Sequence, residues 1–187
     1  MLLPHGVEVH ELQCHLDERG QLTELFKSSR LNVEIQQVNL SSSNAGSLRG
    51  VHCHLHHDDI MAAAHGSFEL GLHDLRPGSP TEGLSAAMRV TAFQQIVRIP
   101  VGVAHGFWFA EDTMMIYGFT KPYDSEDVLG CRWNDPELGI EWSVTGEPLL
   151  SERDRTAGTL AQLREQIRSK YLDLRSRTNV GPFSVRA

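Results

Sequence analysis

The sequence predicts an all-β barrel domain backed by one amphipathic helix, on three observations. Between about residue 30 and residue 145, short runs of β-branched, aromatic and aliphatic residues are punctuated by Gly, Pro, Asn and Asp, the rhythm of strands and turns. Several of these runs alternate apolar with polar side chains, the period of a strand with one buried face. After Trp142 the apolar period changes to three and four, the spacing of a helix face.

Each element has its own reason. Phe68, Leu70 and Leu72 alternate with Glu69, Gly71 and His73, which predicts a half-buried strand ending at the turn Arg76-Pro77-Gly78. Ile96 to Ile99 and Thr113 to Phe119 read as further strands. Gly102 and Gly106 flank His105, and this predicts a tight bend rather than a straight strand interior. Leu160, Leu163, Ile167, Tyr171 and Leu174 predict a helix of about four to five turns packed on the barrel, followed by a loop from Arg175 through Gly181-Pro182. With no internal repeat, low-complexity block or linker, one domain spanning 1–187 is expected.

Composition narrows the class of function. A formal charge of −7 leaves no broad basic surface, so neither nucleic acid nor an anionic membrane is an expected partner. Cys14, Cys53 and Cys131 are odd in number, far apart and without a C-x-x-C pair, which suits a reducing compartment. No run approaches the apolar length of a membrane span, and the first ten residues include His5, Glu8 and His10 where a signal peptide would be apolar. A soluble, cytoplasmic protein is expected.

The chemistry concentrates in histidine. His52, His54, His56, His57 and His65 make up half of the 10 histidines of the chain. On a strand, His52, His54 and His56 would share a face, so at least two imidazoles could converge in a cavity. His56, His57 and His65 read as exposed loop residues. His52 does not, because it follows Leu48-Arg49-Gly50-Val51, where Gly50 permits close backbone approach and Arg49 offers a cationic fork suited to phosphate.

A second anchor lies in Pro100-Val101-Gly102-Val103-Ala104-His105-Gly106-Phe107. Together, His52, His54, Asp59 and Gly66, then Pro100, Gly102 and His105, resemble the two cupin motifs. The resemblance narrows to the dTDP-4-dehydrorhamnose 3,5-epimerase family through a series of segments in order. These are Gln36-Gln37-Val38-Asn39 with Ser41 and Ser43, Leu48 to His52, Asp74 to Thr81, Ile99 to Phe107, Tyr117, Tyr123 with Glu126, Trp133 to Trp142, and Leu150-Ser151-Glu152-Arg153-Asp154. It covers roughly residues 17 to 154. It implies a cupin-type jelly-roll β-barrel that acts, without cofactor and as a homodimer, on a nucleoside-diphosphate 4-keto-6-deoxy sugar, inverting carbons beside the ketone.

Matched motif to motif, the resemblance makes His52 the base, Asp154 the carboxylate that orients it, and Tyr117 the acid on the opposite face, with His105 close by. Arg19 and Glu24 match an early motif that contacts the nucleotide, often across a dimer. Arg49 matches a diphosphate ligand, and Asn39 and Tyr123 fall in matching substrate-binding segments. Trp133 and Trp142 read as packing residues rather than stacking platforms.

Two positions depart from the family. His54 stands where it carries Gln, and an ungapped count from Gly66 places Asp59 where it carries an enolate-stabilising lysine. A carboxylate there would oppose a developing enolate by repulsion. His52, His54, Asp59 and His105 also form a 3-His, 1-carboxylate set suited to a divalent transition metal, which predicts a metal-dependent cupin enzyme as an alternative. A sugar-nucleotide binding protein without catalysis is a third reading.

Overall fold

The structure, a computed structural model, describes the backbone of residues 1–178 and the side chains of these residues except 126 and 171–178. In chain order the strands are β1 (Glu8–Glu11), β2 (Cys14–Asp17), β3 (Gly20–Thr23), β4 (Gln37–Ser43), β5 (Ser47–Cys53), β6 (Asp59–His65), β7 (Ser67–Asp74), β8 (Ser85–Thr91), β9 (Gln95–Ile99), β10 (Val103–Phe109), β11 (Thr113–Phe119) and β12 (Leu129–Gly130). The helices are α1 (Ser28–Leu31), α2 (Glu152–Arg155) and α3 (Leu160–Thr178). Ten strands form two five-stranded antiparallel sheets, β1-β9-β6-β11-β4 and β12-β5-β10-β7-β8, while β2 and β3 pair as a separate hairpin. This is the all-β jelly roll that the sequence predicts.

The core between the sheets follows from strand alternation. Met61, Phe68, Leu70, Leu72, Val97, Phe107, Phe109 and Met115 meet there as one buried cluster. The expectation of a half-buried β7 needs correction, because Gly71 and His73 on its other face are buried too. The segment after β12 covers that face: Trp142 lies so close over Gly71 that an added Cβ would overlap its ring, and Trp142 and Trp133 pack on the outer cluster, as predicted for packing residues.

Leu160, Leu163 and Ile167 on α3 join that outer cluster, and fully burying each contributes about 1.5–3 kcal/mol. Thr159 and Gln162 form a reciprocal cap at its start: the Gln162 N–H donates to Thr159 Oγ1 at 3.2 Å and the Thr159 N–H to Gln162 Oε1 at 2.8 Å. The helix continues past Arg175, where a loop is predicted, since no Gly or Pro interrupts it before Gly181. The predicted contributions of the Tyr171 and Leu174 side chains, and the tail at Gly181-Pro182, lie outside the described residues. No described helix is long and apolar enough to cross a membrane.

The segment Asp74 to Thr81 is structural. Buried Asp74 accepts hydrogen bonds from Arg76 Nε and Nη2 (both 2.8 Å), Ser79 Oγ (2.6 Å) and Thr81 Oγ1 (2.6 Å), while Arg76 Nη2 also donates to the His5 carbonyl (2.6 Å). Burial pushes the Asp74 carboxyl up, but these donors outweigh it and hold the group below its ordinary value.

Candidate active site

A cavity of about 660 Å³ opens between the sheets. On the second sheet, regular alternation would turn Arg49 and His52 to opposite faces, yet both line the cavity. The reason is a bulge. His52 pairs with His105 and Arg49 with Phe107, so Gly50 and Val51 of β5 oppose the single Gly106 of β10. Gly50 has φ +105°, and a Cβ there would stand 2.8 Å from the His105 carbonyl oxygen, so the position demands glycine on both counts.

His52 Nε2 lies 2.6 Å from Asp154 Oδ1. A carboxylate only accepts, so Nε2 donates, and in the neutral ring Nδ1 is left with the lone pair. Asp154 is fixed in turn by α2: its N–H donates to the capping Ser151 Oγ (3.1 Å), whose hydroxyl donates back to Asp154 Oδ2 (2.9 Å). Burial raises the Asp154 carboxyl, but the hydrogen bonds from His52, Ser151 and the Gly50 N–H prevail and lower it, favouring the carboxylate.

The first sheet faces this pair with Met115, Tyr117 and Phe119 of β11 and Asp59 and Met61 of β6, alternate residues in each strand. Tyr117 packs edge-on against Phe119, with ring centroids 5.3 Å apart. Tyr123 lines the same cavity. Arg49 is held near the cavity by Nε donating to Ser43 Oγ (2.9 Å) and Nη2 to the Ser42 carbonyl (3.3 Å).

The four residues read from the sequence as a 3-His, 1-carboxylate set divide. One ligating atom from each of His54, Asp59 and His105 lies within 4.8 Å of the others, whereas His52 bonds Asp154 instead. The strand argument for a shared face of His52, His54 and His56 also needs correction, because β5 ends at Cys53: His54 is buried just beyond the strand and His56 is exposed. His57, predicted as an exposed loop residue, is buried, while His65 is exposed as expected. His105 sits inside β10 rather than in a bend; Gly102 makes the preceding turn. Burial, with the neighbouring His105 and His57, depresses His54 to about 2, and burial depresses His105 to about 3. Asp59 is raised well above its ordinary value by burial and by the charges of Asp58 and Asp127.

Arg19 and Glu24 stand apart from this cavity. Arg19, in the β2–β3 turn, is exposed and pairs with Asp17 at 2.6 Å; Glu24 pairs with Lys27 at 3.1 Å. Asn39 lies across the ladder from Tyr117 but is not part of the cavity lining. Sequence reasoning includes Ser41 and Ser151 in family segments without giving either a role, and it misses Asp127. Ser41 Oγ, on the cavity wall, is buried without a hydrogen-bond partner. Ser151 caps the Asp154 helix, a role that the spacing Ser-x-x-Asp could have signalled. Asp127 is buried and accepts from the Leu55 and His56 N–H groups at 3.0 Å, fixing the histidine loop, and nothing in its local sequence marks it.

Comparison with known proteins identifies a family. The family described as dTDP-4-dehydrorhamnose 3,5-epimerase matches residues 4–162. A dTDP-4-dehydrorhamnose 3,5-epimerase of Sinorhizobium fredii is 32% identical over 160 residues, covering 79% of this chain and 81% of that protein. One of Neisseria gonorrhoeae is 33% identical over 192 residues, covering 96% of this chain but 58% of that protein, so the chain spans little more than half of that relative. A 3'-monoepimerase from Streptomyces bikiniensis, solved in complex with dTDP-quinovose, superposes with a TM-score of 0.82 at 26% identity, covering 94% of this chain and 96% of that one. With the match running from the first strand into α3, the chain belongs to the dTDP-4-dehydrorhamnose 3,5-epimerase family.

Proposed function

We propose that the chain is an epimerase of a nucleoside-diphosphate 4-keto-6-deoxy sugar that removes and returns a proton alpha to the ketone. The observation that carries this is the placement of a His52–Asp154 pair on one side of the cavity and Tyr117 on the facing sheet. A proton beside a ketone can be removed because the charge left behind is delocalised onto oxygen, and inversion requires return to the other face. In this reading His52 is the base through Nδ1, Asp154 holds its tautomer and stabilises the imidazolium, and Tyr117 is the acid. Arg49 suits the diphosphate, whose oxygens match a guanidinium fork. In this reading His105, Tyr123 and the Ser41 hydroxyl, which line the cavity, contact the sugar. The dTDP-sugar bound in the Streptomyces bikiniensis relative supports the substrate class.

The proposal extends to a homodimer. Arg19 and Glu24 lie on or beside the projecting β2–β3 hairpin, away from their own cavity, so a nucleotide-binding role for them is served best in a second copy. Val38 and Leu40, exposed on the edge strand β4, offer that copy an apolar face. The free thiols Cys14, Cys53 and Cys131 support a reducing, cytoplasmic setting.

The test is solvent exchange: in heavy water, with dTDP-4-keto-6-deoxyglucose, deuterium enters at sugar carbon 3, carbon 5 or both. His52→Asn lowers the wash-in rate by about 10²–10⁴-fold. Wash-in that is unchanged in His52→Asn overturns the assignment of the base. Binding of the sugar nucleotide without any exchange would make the chain a binding protein instead.

A further inference from the structure

The buried polar groups beside the His52–Asp154 pair form a cluster of acceptors that proton transfer does not use. His105 Nδ1 lies 3.1 Å from the Val103 carbonyl oxygen and His54 Nδ1 3.3 Å from that of Asp127. A carbonyl only accepts, so both Nδ1 atoms carry the ring proton and both Nε2 atoms present lone pairs. Those lone pairs face one oxygen: Asp59 Oδ2 is 3.9 Å from His54 Nε2 and 3.7 Å from His105 Nε2. A third imidazole lies alongside: His57 Nδ1 is 3.5 Å from Asp127 Oδ2, and its Nε2, 3.9 Å from the same Asp59 oxygen, is buried without a hydrogen-bond partner.

Two imidazole acceptors and the unpartnered His57 Nε2 thus surround one carboxylate oxygen. A proton on Asp59 could serve one of them and would leave the others facing lone pairs, a costly arrangement for buried groups. A cation satisfies the His54 and His105 lone pairs and the carboxylate at once. We propose that His54, Asp59 and His105 form a divalent transition-metal site in the cavity wall, with His52 outside the ligand set and His57 packed behind it. Tetrahedral bonds of about 2 Å place ligands roughly 3.3 Å apart; Asp59 Oδ2 stands 3.9 and 3.7 Å from the two imidazole nitrogens, and all three ligand atoms lie within 4.8 Å of one another, so side-chain rotations suffice to close the set. Carbonyls on both ligating histidines supply the outer contacts that fix ring orientation at metal sites. Three protein ligands leave a position open to the cavity, the pattern of reactive rather than closed sites. The donor set of two imidazoles and one carboxylate suits Zn, Fe, Mn or Ni. A bound cation would neutralise Asp59 and supply positive charge where the family pattern has a lysine.

This assignment rests on ligand chemistry and stands or falls separately from the epimerase reading. Untagged protein purified without chelator is analysed for metals, then stripped and titrated with Co²⁺, read by its visible absorption, and with Zn²⁺, read by thermal melting. The expected result is about one equivalent of metal per chain and a rise in melting temperature. Asp59→Asn and His54→Gln, checked for folding by circular dichroism, each weaken Co²⁺ binding by roughly tenfold or more, whereas His52→Asn retains it. Failure of the wild-type protein to bind Co²⁺, Zn²⁺, Mn²⁺ or Ni²⁺ overturns the proposal without reference to any variant. Loss of Co²⁺ binding in His52→Asn alone overturns the ligand set.

Discussion

The imidazole of His52 and the carboxylate of Asp154 meet at 2.6 Å although 102 residues separate them in sequence. Two devices make that contact: the β5 bulge brings His52 to the cavity face, and the Ser151 cap holds Asp154 at the start of α2.

Asp154→Asn is therefore expected to keep the shape of the pair and lose its charge. Wash-in and turnover should fall by about 10²–10⁴-fold with little change in substrate affinity, because the amide can stabilise the wrong tautomer. Steady-state kinetics and binding of dTDP by calorimetry separate the two effects.

Tyr117→Phe removes a proton donor from the sheet opposite His52. The base can still remove and return a proton on its own face, so deuterium should continue to enter while net inversion falls by about 10²–10⁴-fold. Comparing mass shift with sugar configuration by NMR decides it. Full inversion in this variant would remove Tyr117 from the mechanism.

Gly50→Ala places a methyl group 2.8 Å from the His105 carbonyl oxygen at a backbone angle of +105°. Backbone strain and overpacking together should cost ~2–5 kcal/mol. Thermal unfolding is expected to shift down by roughly 5–20 °C.

Asp74→Asn breaks the buried pair with Arg76 and should destabilise the fold by about 3–5 kcal/mol near neutral pH. The folded value of this carboxyl lies below its ordinary 3.8, so its contribution is complete above 3.8 and is lost as pH falls through the folded value. The difference in urea midpoint between the two proteins should accordingly shrink in acid. Catalytic wash-in per folded molecule should not change, since Asp74 lies outside the cavity lining.

Strands β7, β9 and β11 and the apolar stripe of α3 were legible because they follow local rules. Phe68, Leu70 and Leu72 alternate as one face must, and Leu160, Leu163 and Ile167 mark a helix stripe. Tyr117 and Asp154 were legible only through family motifs, since a strand tyrosine or a helix-start aspartate has ordinary structural uses. His57 was misread because its burial depends on Phe119, whose ring centroid is 4.6 Å away, and on Asp127, both distant in sequence. The split between His52 and the other members of the metal-like set was equally hidden, because spacing reports which residues are near one another and not which atom each ring presents.

The extra residue in β5 links the spacing of two cavity residues to the regularity of the ladder. Arg49 and His52 are three apart, an odd step, and they share a face only because the bulge changes the count. Deleting Gly50 would leave Arg49 and His52 two apart in a regular ladder, with Val51 alone opposite Gly106 and both groups still on one face. The spacing of the two groups and the shape of the strand are therefore coupled: a separation of three presents both only with the bulge, and a separation of two only without it.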